Sequence, residues 1–330
     1  MENSYSVVVV IPCYRTGPKV LDVIARIPAV VDRIIVVDDA CPDSTGDLVE
    51  NESADQRVEV IRLDENLGVG GATMVGYKAA LTTAPDVVVK IDGDGQMNPA
   101  LLPGLIQPIL LHRADYVKGN RFFQPEFLSE MPLIRRIGNA GLSFLTKLSS
   151  GYWHIMDPTN GFTAIHGTVL ALLPFDKVEP RFFFESDMLF RLGTLDAVIA
   201  DAPMRPVYAG ENSNLNPVAS MNEFLVKNIR NTYKRILYSY FLRGFSVASV
   251  ELLVGLLLIL LGIAIGVPAW VGSIRSNVPA TAGTVMLAGL PIFLGTQLVL
   301  GFLSADLGRR QDIPLHLRIS SLLTPQEWEE

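Results

Sequence analysis

Polar and acidic side chains follow four Val/Ile-rich runs in the first hundred residues of this 330-residue chain. The four clusters are Pro12-Cys13-Tyr14-Arg15, Asp38-Asp39, the stretch 64–71 and Asp92-Gly-Asp94-Gly-Gln96. Each cluster alone could be a turn with solvated carboxylates. If they converge in one pocket, their like charges must be protonated or neutralised when they are buried. A divalent cation is the simplest neutralising partner, so the pattern predicts a metal site.

The cluster with the clearest metal-binding chemistry contains Asp92, Asp94 and Gln96. These side chains supply hard oxygen donors suited to Mg²⁺ or Mn²⁺, and the glycines between them let the backbone turn tightly. Mg²⁺ usually binds one or two carboxylates and completes its shell with water and substrate phosphates, which predicts a metal-bridged nucleoside diphosphate. An EF-hand calcium loop does not fit, because the twelfth position counted from Asp92 is Pro103. A P-loop does not fit either, because the glycines in 68–76 lack a Gly-Lys-Ser/Thr ending.

Short apolar runs alternate with helix-length segments, and these elements must position the clusters. The predicted strands are 6–11, 33–37, 58–63, 86–91 and 116–118, and the predicted helices are 20–27, 45–52, 72–83 and 101–111. Continuous Val/Ile runs are typical of a parallel sheet that is covered on both faces. The pattern therefore predicts an α/β, Rossmann-like doubly wound sheet, in which ligands bind at the carboxyl ends of the strands.

The composition excludes one class of partner and predicts a membrane segment. With 27 Lys and Arg against 34 Asp and Glu, the net charge of −7 argues against nucleic-acid binding, which needs a concentrated basic surface. Hydrophobic residues make up 49% of the chain, and the mean hydropathy is +0.33. Between Leu252 and Ala305 the one charged residue is Arg275. The two apolar runs, at about 246–267 and 282–304, each approach the length of about 20 residues that spans a membrane.

Basic residues flank this apolar region on both sides. They are Arg230, Lys234, Arg235 and Arg243 before it and Arg309, Arg310 and Arg318 after it. By the positive-inside rule, we expect a multi-pass protein of the cytoplasmic (inner) membrane with both termini in the cytoplasm. Glycines in both runs predict close packing as a helical hairpin. The expected organisation is a cytoplasmic domain at 1–219, a juxtamembrane amphipathic helix at 220–245, the hairpin at 246–304 and a cytoplasmic tail at 305–330.

Seven ordered motifs carry a resemblance to a known family. In chain order they are VVVVIPCYR, VVDDACPDST, NLGVGGA, DGDGQ, KGNRF, DPTNGF and FFFESDM, and the likeness covers roughly residues 5–235. The chain resembles glycosyltransferase family 2 enzymes of GT-A fold, and among these the polyprenyl-phosphate glycosyltransferases related to dolichyl-phosphate mannose synthase. The resemblance implies a GT-A nucleotide-sugar-binding domain followed by interfacial helices and a two-helix transmembrane hairpin.

The resemblance also implies roles for individual residues. Those expected to hold the nucleotide and the donor sugar are Pro12, Tyr14, Asp38, Asp39, Asp92, Asp94, Glu185 and Asp187. Those expected to bind the metal are Asp94 and Gln96, and those expected near the acceptor phosphate are Arg121, Arg135, Arg136 and Asn139. The expected catalytic residues are Asp157, Arg121 and Asp94. Arg135 and Arg136 equally suit an amphipathic helix on the bilayer surface, so both roles stay open.

The implied reaction is inverting transfer of a hexose from a nucleotide sugar to undecaprenyl or dolichyl phosphate at the cytoplasmic membrane face. A phosphate monoester with a second pKa of about 6 is largely ionised at neutral pH, so the acceptor needs no strong general base. Asp157 is therefore expected mainly to orient groups or to stabilise positive charge, with a role as base left open. The metal ion and arginine would neutralise the leaving diphosphate.

Two alternatives to this function stay open. A polysaccharide-extending glycosyltransferase would be expected to have more spans and a Gln-x-x-Arg-Trp motif, which this sequence lacks. A catalytically inactive nucleotide-binding scaffold would be expected to lose Asp92, Asp94 or Arg121, all of which are present. The motifs do not fix the hexose, the choice between a UDP and a GDP donor, or the oligomeric state, for which a tetramer is one option.

Overall fold

The computed structural model describes residues 5–123, 133–204 and 217–323. The chain forms two compact units. The first extends over residues 1–232 and takes in 311–330, and the second comprises residues 233–310. The first unit is a layered α/β domain, and the second is a pair of long helices with the segment that precedes them.

A mixed seven-stranded sheet forms the centre of the first unit. Its strands are β1 (Val7–Cys13), β2 (Arg33–Asp38), β3 (Val58–Arg62), β4 (Val87–Lys90), β5 (Tyr116–Asn120), β6 (Thr163–His166) and β7 (Ile199–Pro203). Their order is β3-β2-β1-β4-β6-β5-β7, and β6 runs antiparallel to both its neighbours while the other pairs are parallel. All five strands predicted from the short apolar runs are present. The sequence did not indicate β6 and β7, because TAIH and IADAP contain no continuous Val/Ile run.

Both faces of the sheet are apolar because successive side chains of a strand point to opposite sides. In β1, Val7, Val9 and Ile11 join one hydrophobic core, while Val8 and Val10 join the other. All five side chains are inaccessible or nearly so. A strand that is buried on both faces needs an apolar residue at every position, which explains the unbroken VVVVI run.

Helices cover both faces of this sheet. In chain order the helices up to residue 237 are α1 (Lys19–Ala25), α2 (Thr45–Glu52), α3 (Gly68–Leu81), α4 (Leu102–Leu110), α5 (Leu133–Ser150), α6 (Gly167–Ala171), α7 (Phe184–Thr194) and α8 (Pro217–Leu237), of which six cover the sheet. Apolar residues of α1, α2 and α4 enter the core on one face, and those of α3, α6 and α7 enter the core on the other. The result is the predicted three-layer α/β arrangement.

The carboxyl ends of β1, β2, β4 and β5 lie at one edge of the sheet, because these four strands point in the same direction. β6 points the opposite way and therefore begins at this edge. Its first residue, Thr163, pairs with Lys90 of β4 on one side and with Lys118 of β5 on the other. Segments that follow four strands and the segment that precedes β6 thus meet where the sequence predicts the ligand site.

The second unit contains the long helices α9 (Val247–Ser276) and α10 (Ala282–Gly308), which pack against each other. Both are long and apolar enough to cross a membrane, and only 11% of the most apolar stretch of each is buried. Core helices of soluble proteins are far more buried than this. α9 extends beyond the expected end at residue 267, because Pro268 is accommodated inside the helix rather than ending it.

Glycines bring α9 and α10 close together, as the sequence predicts. A Cβ atom on Gly255 would lie 2.9 Å from the carbonyl oxygen of Gly295, and one on Gly295 would lie 2.6 Å from that of Gly255. A Cβ on Gly262 would lie 2.6 Å from the carbonyl oxygen of Ala288. Gly289, in contrast, faces open space. The close approach of the two helices therefore depends on particular glycines.

A buried ion pair lies in the second unit beside the ends of this hairpin. Arg235 donates from Nη1 and Nη2 to the two carboxylate oxygens of Asp306 at 2.7 and 3.0 Å, and the Tyr240 hydroxyl donates to the same carboxylate at 2.7 Å. The side chains of Arg235 and Asp306 are only 4% and 1% exposed. Buried charges are tolerated when they are paired and hydrogen-bonded in this way. The pair fixes the end of α10 against the segment that precedes α9.

The C-terminal helix α11 (Leu315–Leu323) belongs to the first unit and is held there by a distant carboxylate. Asp115 accepts hydrogen bonds from the backbone N–H groups of Leu315 and His316 at 2.7 and 2.9 Å, and it lies 2.6 Å from Nδ1 of His316. His112 in turn contacts the His316 ring nitrogen at 3.0 Å. Asp115 thus caps the first turn of a helix that follows it by 200 residues.

Candidate active site

The turn after β4 presents Asp92, Asp94 and Gln96 at the carboxyl edge of the sheet. Gly95 has a φ of +77°, which favours glycine, and the backbone N–H of Gln96 donates to Oδ1 of Asp94 at 3.0 Å. A Cβ on Gly93 would lie 2.9 Å from the Cys13 sulfur on β1. Gly95 is therefore favoured by its backbone conformation, and Gly93 by the close approach of the turn to β1.

The donor set of this turn suits a hard divalent cation. Burial raises the pKa of Asp94, and the charge of Asp92 adds to this effect while the N–H of Gln96 opposes it. A cation beside Asp92 and Asp94 would stabilise their charged carboxylates against both burial and mutual repulsion. Across residues 5–123, 133–204 and 217–323 there is no cluster of three or more Asp, Glu, His or Cys side chains that could hold a metal. The carboxylate of Asp94 and the amide oxygen of Gln96 would suit an ion such as Mg²⁺, which binds few protein carboxylates and completes its shell with substrate phosphates and water.

Arg121 and Asp157 form a bidentate ion pair at the same edge. Nε and Nη2 of Arg121 donate to the two carboxylate oxygens of Asp157 at 2.7 and 3.0 Å, and the backbone N–H of Arg121 donates to Oδ2 at 3.2 Å. The Asp157 side chain is fully buried, whereas that of Arg121 is 38% exposed. The carboxylate therefore fixes the orientation of a guanidinium that keeps part of its surface exposed.

The DPTNGF segment that carries Asp157 packs directly against the turn at residues 92–96, here called the acidic turn. Gly161 makes the contact: a Cβ on Gly161 would lie 2.7 Å from Oδ2 of Asp92 and 2.7 Å from Nζ of Lys90. A larger residue would push the two segments apart. The structure thus brings together the acidic turn and the Arg121–Asp157 pair, which the sequence predicts separately.

A row of polar residues crosses the sheet beneath these segments. The strand register aligns Lys90 with Thr163, Thr163 with Lys118, and Lys118 with Asp201. Lys90, Thr163 and Lys118 are almost completely buried. Sequence reasoning did not single out Lys90, Lys118 or Asp201 as site residues. The available signal was a charged residue inside an apolar strand, as in VVVKI, because an isolated buried charge requires a partner.

Lys118 supports the loop that carries Asp157. Its Nζ donates to the backbone carbonyl oxygen of Asn160 at 2.5 Å. Burial lowers the pKa of Lys118 to about 8, although the carboxylates of Glu185 and Asp157 act in the opposite direction. The lysine therefore stabilises the loop at the cost of a poorly solvated charge.

Asp201 holds the two residues that precede Asp157 and Arg121 in the chain. Oδ2 of Asp201 accepts a hydrogen bond from the backbone N–H of Met156 at 2.8 Å and one from Nδ2 of Asn120 at 3.3 Å. These two residues immediately precede Asp157 and Arg121. Burial raises the pKa of Asp201. Its place in IADAP gives no sequence signal for this role, which depends on the pairing of β7 with β5.

Asp38 and Asp39 fix the loops at the carboxyl ends of β2 and β3. Asp38 accepts hydrogen bonds from the backbone N–H groups of Cys41 and Gly46 at 2.7 and 2.6 Å. Asp39 accepts from those of Leu67 and Gly68 at 2.7 and 2.9 Å. Burial raises the pKa of Asp39, and these N–H donors oppose the rise. Both carboxylates lie at the predicted edge and hold its backbone in place.

Pro12 and Tyr14 lie at the end of β1. Pro12 is buried within the strand, and Tyr14 is 44% exposed with the Arg15 guanidinium 5.3 Å from its ring centroid. Arg15 has a positive φ of 55°, so the chain turns sharply at this point. An exposed aromatic ring next to the acidic turn is a surface on which a nucleotide base could stack.

The glycine-rich NLGVGGA segment begins α3 and packs against residues 179–181. A Cβ on Gly70 would overlap the carbonyl oxygen of Glu179, and the N–H of Gly71 donates to the carbonyl oxygen of Pro180 at 2.9 Å. These contacts explain the glycines through close packing of two segments. Residues 179–181, which pack against these glycines, lead directly into α7.

The two acidic residues of FFFESDM occupy different environments on α7. Glu185 lies beside the acidic turn, with Oε1 3.3 Å from Nζ of Lys90. The carboxylate of Asp187 accepts hydrogen bonds from the Glu179 N–H, from Arg191 and from Asn231 at 3.0, 2.8 and 3.2 Å. Asp187 therefore holds α7 to its surroundings, whereas Glu185 belongs to the site. The side chains of Arg135, Arg136 and Asn139 lie outside the part of the chain that the structure describes.

Comparisons with known proteins agree with this geometry. Residues 8–171 match the profile of glycosyl transferase family 2. The UDP-N-acetylglucosamine–dolichyl-phosphate N-acetylglucosaminyltransferase of Methanococcus voltae is 30% identical over 213 residues, which cover 60% of this chain and 84% of that protein. The undecaprenyl-phosphate mannosyltransferase of Micrococcus luteus is 30% identical over 202 residues, which cover 60% of this chain and 82% of that relative.

Solved structures show the same fold. Glucosyl-3-phosphoglycerate synthase from Mycobacterium tuberculosis, in complex with Mn²⁺, UDP-glucose and phosphoglyceric acid, superposes with a TM-score of 0.53 at 23% identity. The superposition covers 70% of this chain and 80% of that one. It confirms the predicted GT-A arrangement of the α/β domain. With the matched profile and the two relatives, it follows that the chain belongs to glycosyl transferase family 2 and is a glycosyltransferase.

Proposed function

We propose that this enzyme is a metal-dependent, inverting glycosyltransferase that moves one hexose from a nucleoside diphosphate sugar to a polyprenyl phosphate. The observation that carries the proposal is the contact at Gly161, where the acidic turn meets the loop that holds Asp157 against Arg121. A site for a metal-bound diphosphate and a fixed guanidinium thus share one edge of the sheet. The names of relatives that act on dolichyl phosphate and undecaprenyl phosphate support the same acceptor class here.

In this proposal, Asp94 and Gln96 hold the cation. When bound, Mg²⁺ or Mn²⁺ would supply charge neutralisation for the departing diphosphate. Asp92 contacts the nucleotide, and Tyr14 offers its exposed ring to the base. Asp38 and Asp39 keep the surrounding loops in the conformation that receives the nucleotide, and Pro12 lies in the buried strand beneath it, next to the last residue of that strand, Cys13.

Arg121 and Asp157 act on the reacting groups. Arg121 presents its guanidinium to a phosphate oxygen, and Asp157 fixes that guanidinium through two hydrogen bonds. Because both oxygens of Asp157 are engaged by Arg121, we assign Asp157 an orienting role rather than that of a general base. The acceptor phosphate is already ionised at neutral pH, so its oxygen attacks the anomeric carbon without prior proton removal.

In this proposal Glu185 contacts hydroxyl groups of the donor hexose. Its carboxylate lies close to that of Asp92, since Nζ of Lys90 contacts both. Asp187 acts indirectly by anchoring α7. Arg135, Arg136 and Asn139 stay predictions for the acceptor phosphate.

The two apolar helices support a membrane location for the acceptor reaction. A polyprenyl phosphate keeps its tail in the lipid and its phosphate at the headgroup layer, so an anchored enzyme meets it at a fixed depth. We propose that α9 and α10 form this anchor, with 1–219 and 305–330 in the cytoplasm as the basic flanks favour. The segment 220–245 would lie at the membrane surface, and a homo-oligomer such as a tetramer stays a prediction.

The test is a donor screen on the detergent-purified full chain with Mg²⁺ or Mn²⁺, polyprenyl phosphate and UDP- or GDP-hexoses. Release of nucleoside diphosphate and formation of lipid-linked sugar are followed together. The proposal predicts product with at least one donor, loss of product with EDTA, and a loss of about 100-fold or more in rate for Asp94→Ala. Binding without turnover for every donor would instead favour a catalytically inactive scaffold.

A further inference from the structure

Lys90 is a fully buried lysine directly beneath the acidic turn. It is the last residue of β4, two positions before Asp92, and its side chain has no exposed surface. Moving an ammonium group out of water is costly unless it is paired and hydrogen-bonded. A lysine in this position therefore requires anionic partners, and the structure shows two of them.

The two partners come from different elements. Nζ of Lys90 lies 2.7 Å from Oδ1 of Asp92 in the turn and 3.3 Å from Oε1 of Glu185 on α7. The two carboxylate oxygens are consequently no more than about 6 Å apart, the sum of these distances. The DPTNGF segment packs against Asp92 and Lys90 at Gly161, where a Cβ atom would lie 2.7 Å from Oδ2 of Asp92 and 2.7 Å from Nζ of Lys90.

The ammonium stays charged in this environment. Burial on its own would lower the pKa of Lys90, but the carboxylates of Asp92 and Glu185 more than offset this and raise it above the ordinary lysine value. The aromatic face of Phe184, 5.9 Å from Nζ, adds a further favourable contact for a cation. A permanent positive charge thus lies between two carboxylates that would otherwise repel each other.

We propose that Lys90 is a positioning residue that sets the separation of Asp92 and Glu185, and so aligns the nucleotide contact with the sugar contact of the donor. This inference rests on the proposed function, which gives Asp92 and Glu185 those two contacts. Without the ammonium, the carboxylates move apart and the site carries one more unit of net negative charge against an anionic donor. Lys90 acts through its two partners and does not touch the substrate.

The test compares Lys90→Met with a matched variant, Arg57→Met. Arg57 pairs with Asp55 and donates to backbone carbonyl oxygens at the opposite edge of the sheet, so its loss affects stability without affecting the site. Calorimetry measures binding of UDP and of GDP, each with Mn²⁺, to the full chain in detergent. For the nucleotide that the unchanged protein binds, we expect binding to weaken about tenfold or more in Lys90→Met, and less than about twofold in Arg57→Met.

A double variant separates positioning from simple support of the fold. Lys90→Met with Glu185→Gln removes the buried like-charge repulsion, so its melting temperature should recover toward that of the unchanged protein. Binding of the Mn²⁺–nucleotide should stay weak, because Asp92 still lacks its anchor. Recovery of binding together with stability would overturn the positioning role, as would a folded Lys90→Met variant that binds within about twofold of the unchanged protein.

Binding of UDP and of GDP to the unchanged protein is the reference for these variants. If the unchanged protein binds neither UDP nor GDP with Mn²⁺, the proposed function itself fails, and this inference with it. If the unchanged protein binds and the Lys90 variants bind equally well, the function stands and the role of Lys90 is overturned.

Discussion

The residues at this site show that ion pairing, and not carboxylate count alone, determines what each acidic group can do. Asp157 and Asp187 are both buried and both held by arginine, Arg121 in one case and Arg191 in the other. Only the first of these arginines lies beside the acidic turn. The chemistry of the site therefore depends on which partner each carboxylate has acquired through folding.

Arg121 offers a test of the geometry of its pair with Asp157. Arg121→Lys keeps the charge but loses the bidentate fork, so the phosphate-binding group is no longer held in place. We expect kcat to fall about 100-fold, as is typical when one preorganised donor to a transition state is removed, with a smaller change in donor KM. Steady-state kinetics on the purified enzyme measure this. Arg57→Lys is the control, and an equal loss of kcat in both variants would contradict the assigned role.

Lys118 predicts a specific dependence of stability on pH. Burial lowers the pKa of Lys118 to about 8 in the folded protein, from an ordinary value of 10.5. Between these values the unfolded chain binds more protons, so the free energy of unfolding gains a contribution that rises with pH, by on the order of 1 kcal/mol per pH unit. Lys118→Met lacks this contribution. Thermal melts from pH 7 to pH 10 should show the unchanged protein gaining stability relative to the variant, and parallel curves would refute the assignment.

The elements that the sequence predicts most clearly are those whose residues have one environment along their whole length. Strand β1 and the two apolar helices are of this kind, because burial on both faces, or an apolar surface on all sides, selects apolar residues throughout. β6 and β7 escape detection because TAIH and IADAP combine buried apolar positions with polar ones. In β7 the polar position, Asp201, holds the neighbours of Asp157 and Arg121.

The same limit applies to the site. Residues that follow a predicted strand, such as Asp92 and Asp94, could be assigned to the correct edge from the sequence, because parallel strands end together. Lys90 and Lys118 could not, since their roles depend on partners that only the packing of α7 and of the DPTNGF segment brings near. The contact between Asp115 and α11 likewise joins residues that no local pattern connects.

The close approach of α9 and α10 at Gly255 can be tested by substitution. Gly255→Val places a side chain against the backbone of Gly295, so α9 and α10 must separate or distort. Overpacking of this kind costs about 1–3 kcal/mol. Gly289→Val is the matched control, because a side chain there enters open space. Loss of helicity on titration with SDS should occur at lower SDS for Gly255→Val only, and equal midpoints for the two variants would show that the packing is unimportant.

At the scale of the whole molecule, the chain combines a nucleotide-sugar fold with two helices that can cross a membrane. The fold alone does not identify the acceptor, since the structural counterpart with phosphoglyceric acid bound has the same architecture. The apolar helices and the named relatives both favour a lipid acceptor. Neither the donor nor the acceptor tail can be inferred from the sequence, because both depend on contacts of individual side chains rather than on the motifs.

A comparison of three acceptors, with the donor found active in the screen, tests whether the sugar goes to a lipid phosphate. The acceptors are undecaprenyl phosphate, undecaprenol and 3-phosphoglycerate, each supplied to the full chain in lipid nanodiscs with Mn²⁺. We expect transfer of the sugar to undecaprenyl phosphate and to neither of the others, because the attacking group is a phosphate oxygen held at the membrane surface. Transfer to 3-phosphoglycerate, or equal transfer to undecaprenol, would contradict this expectation.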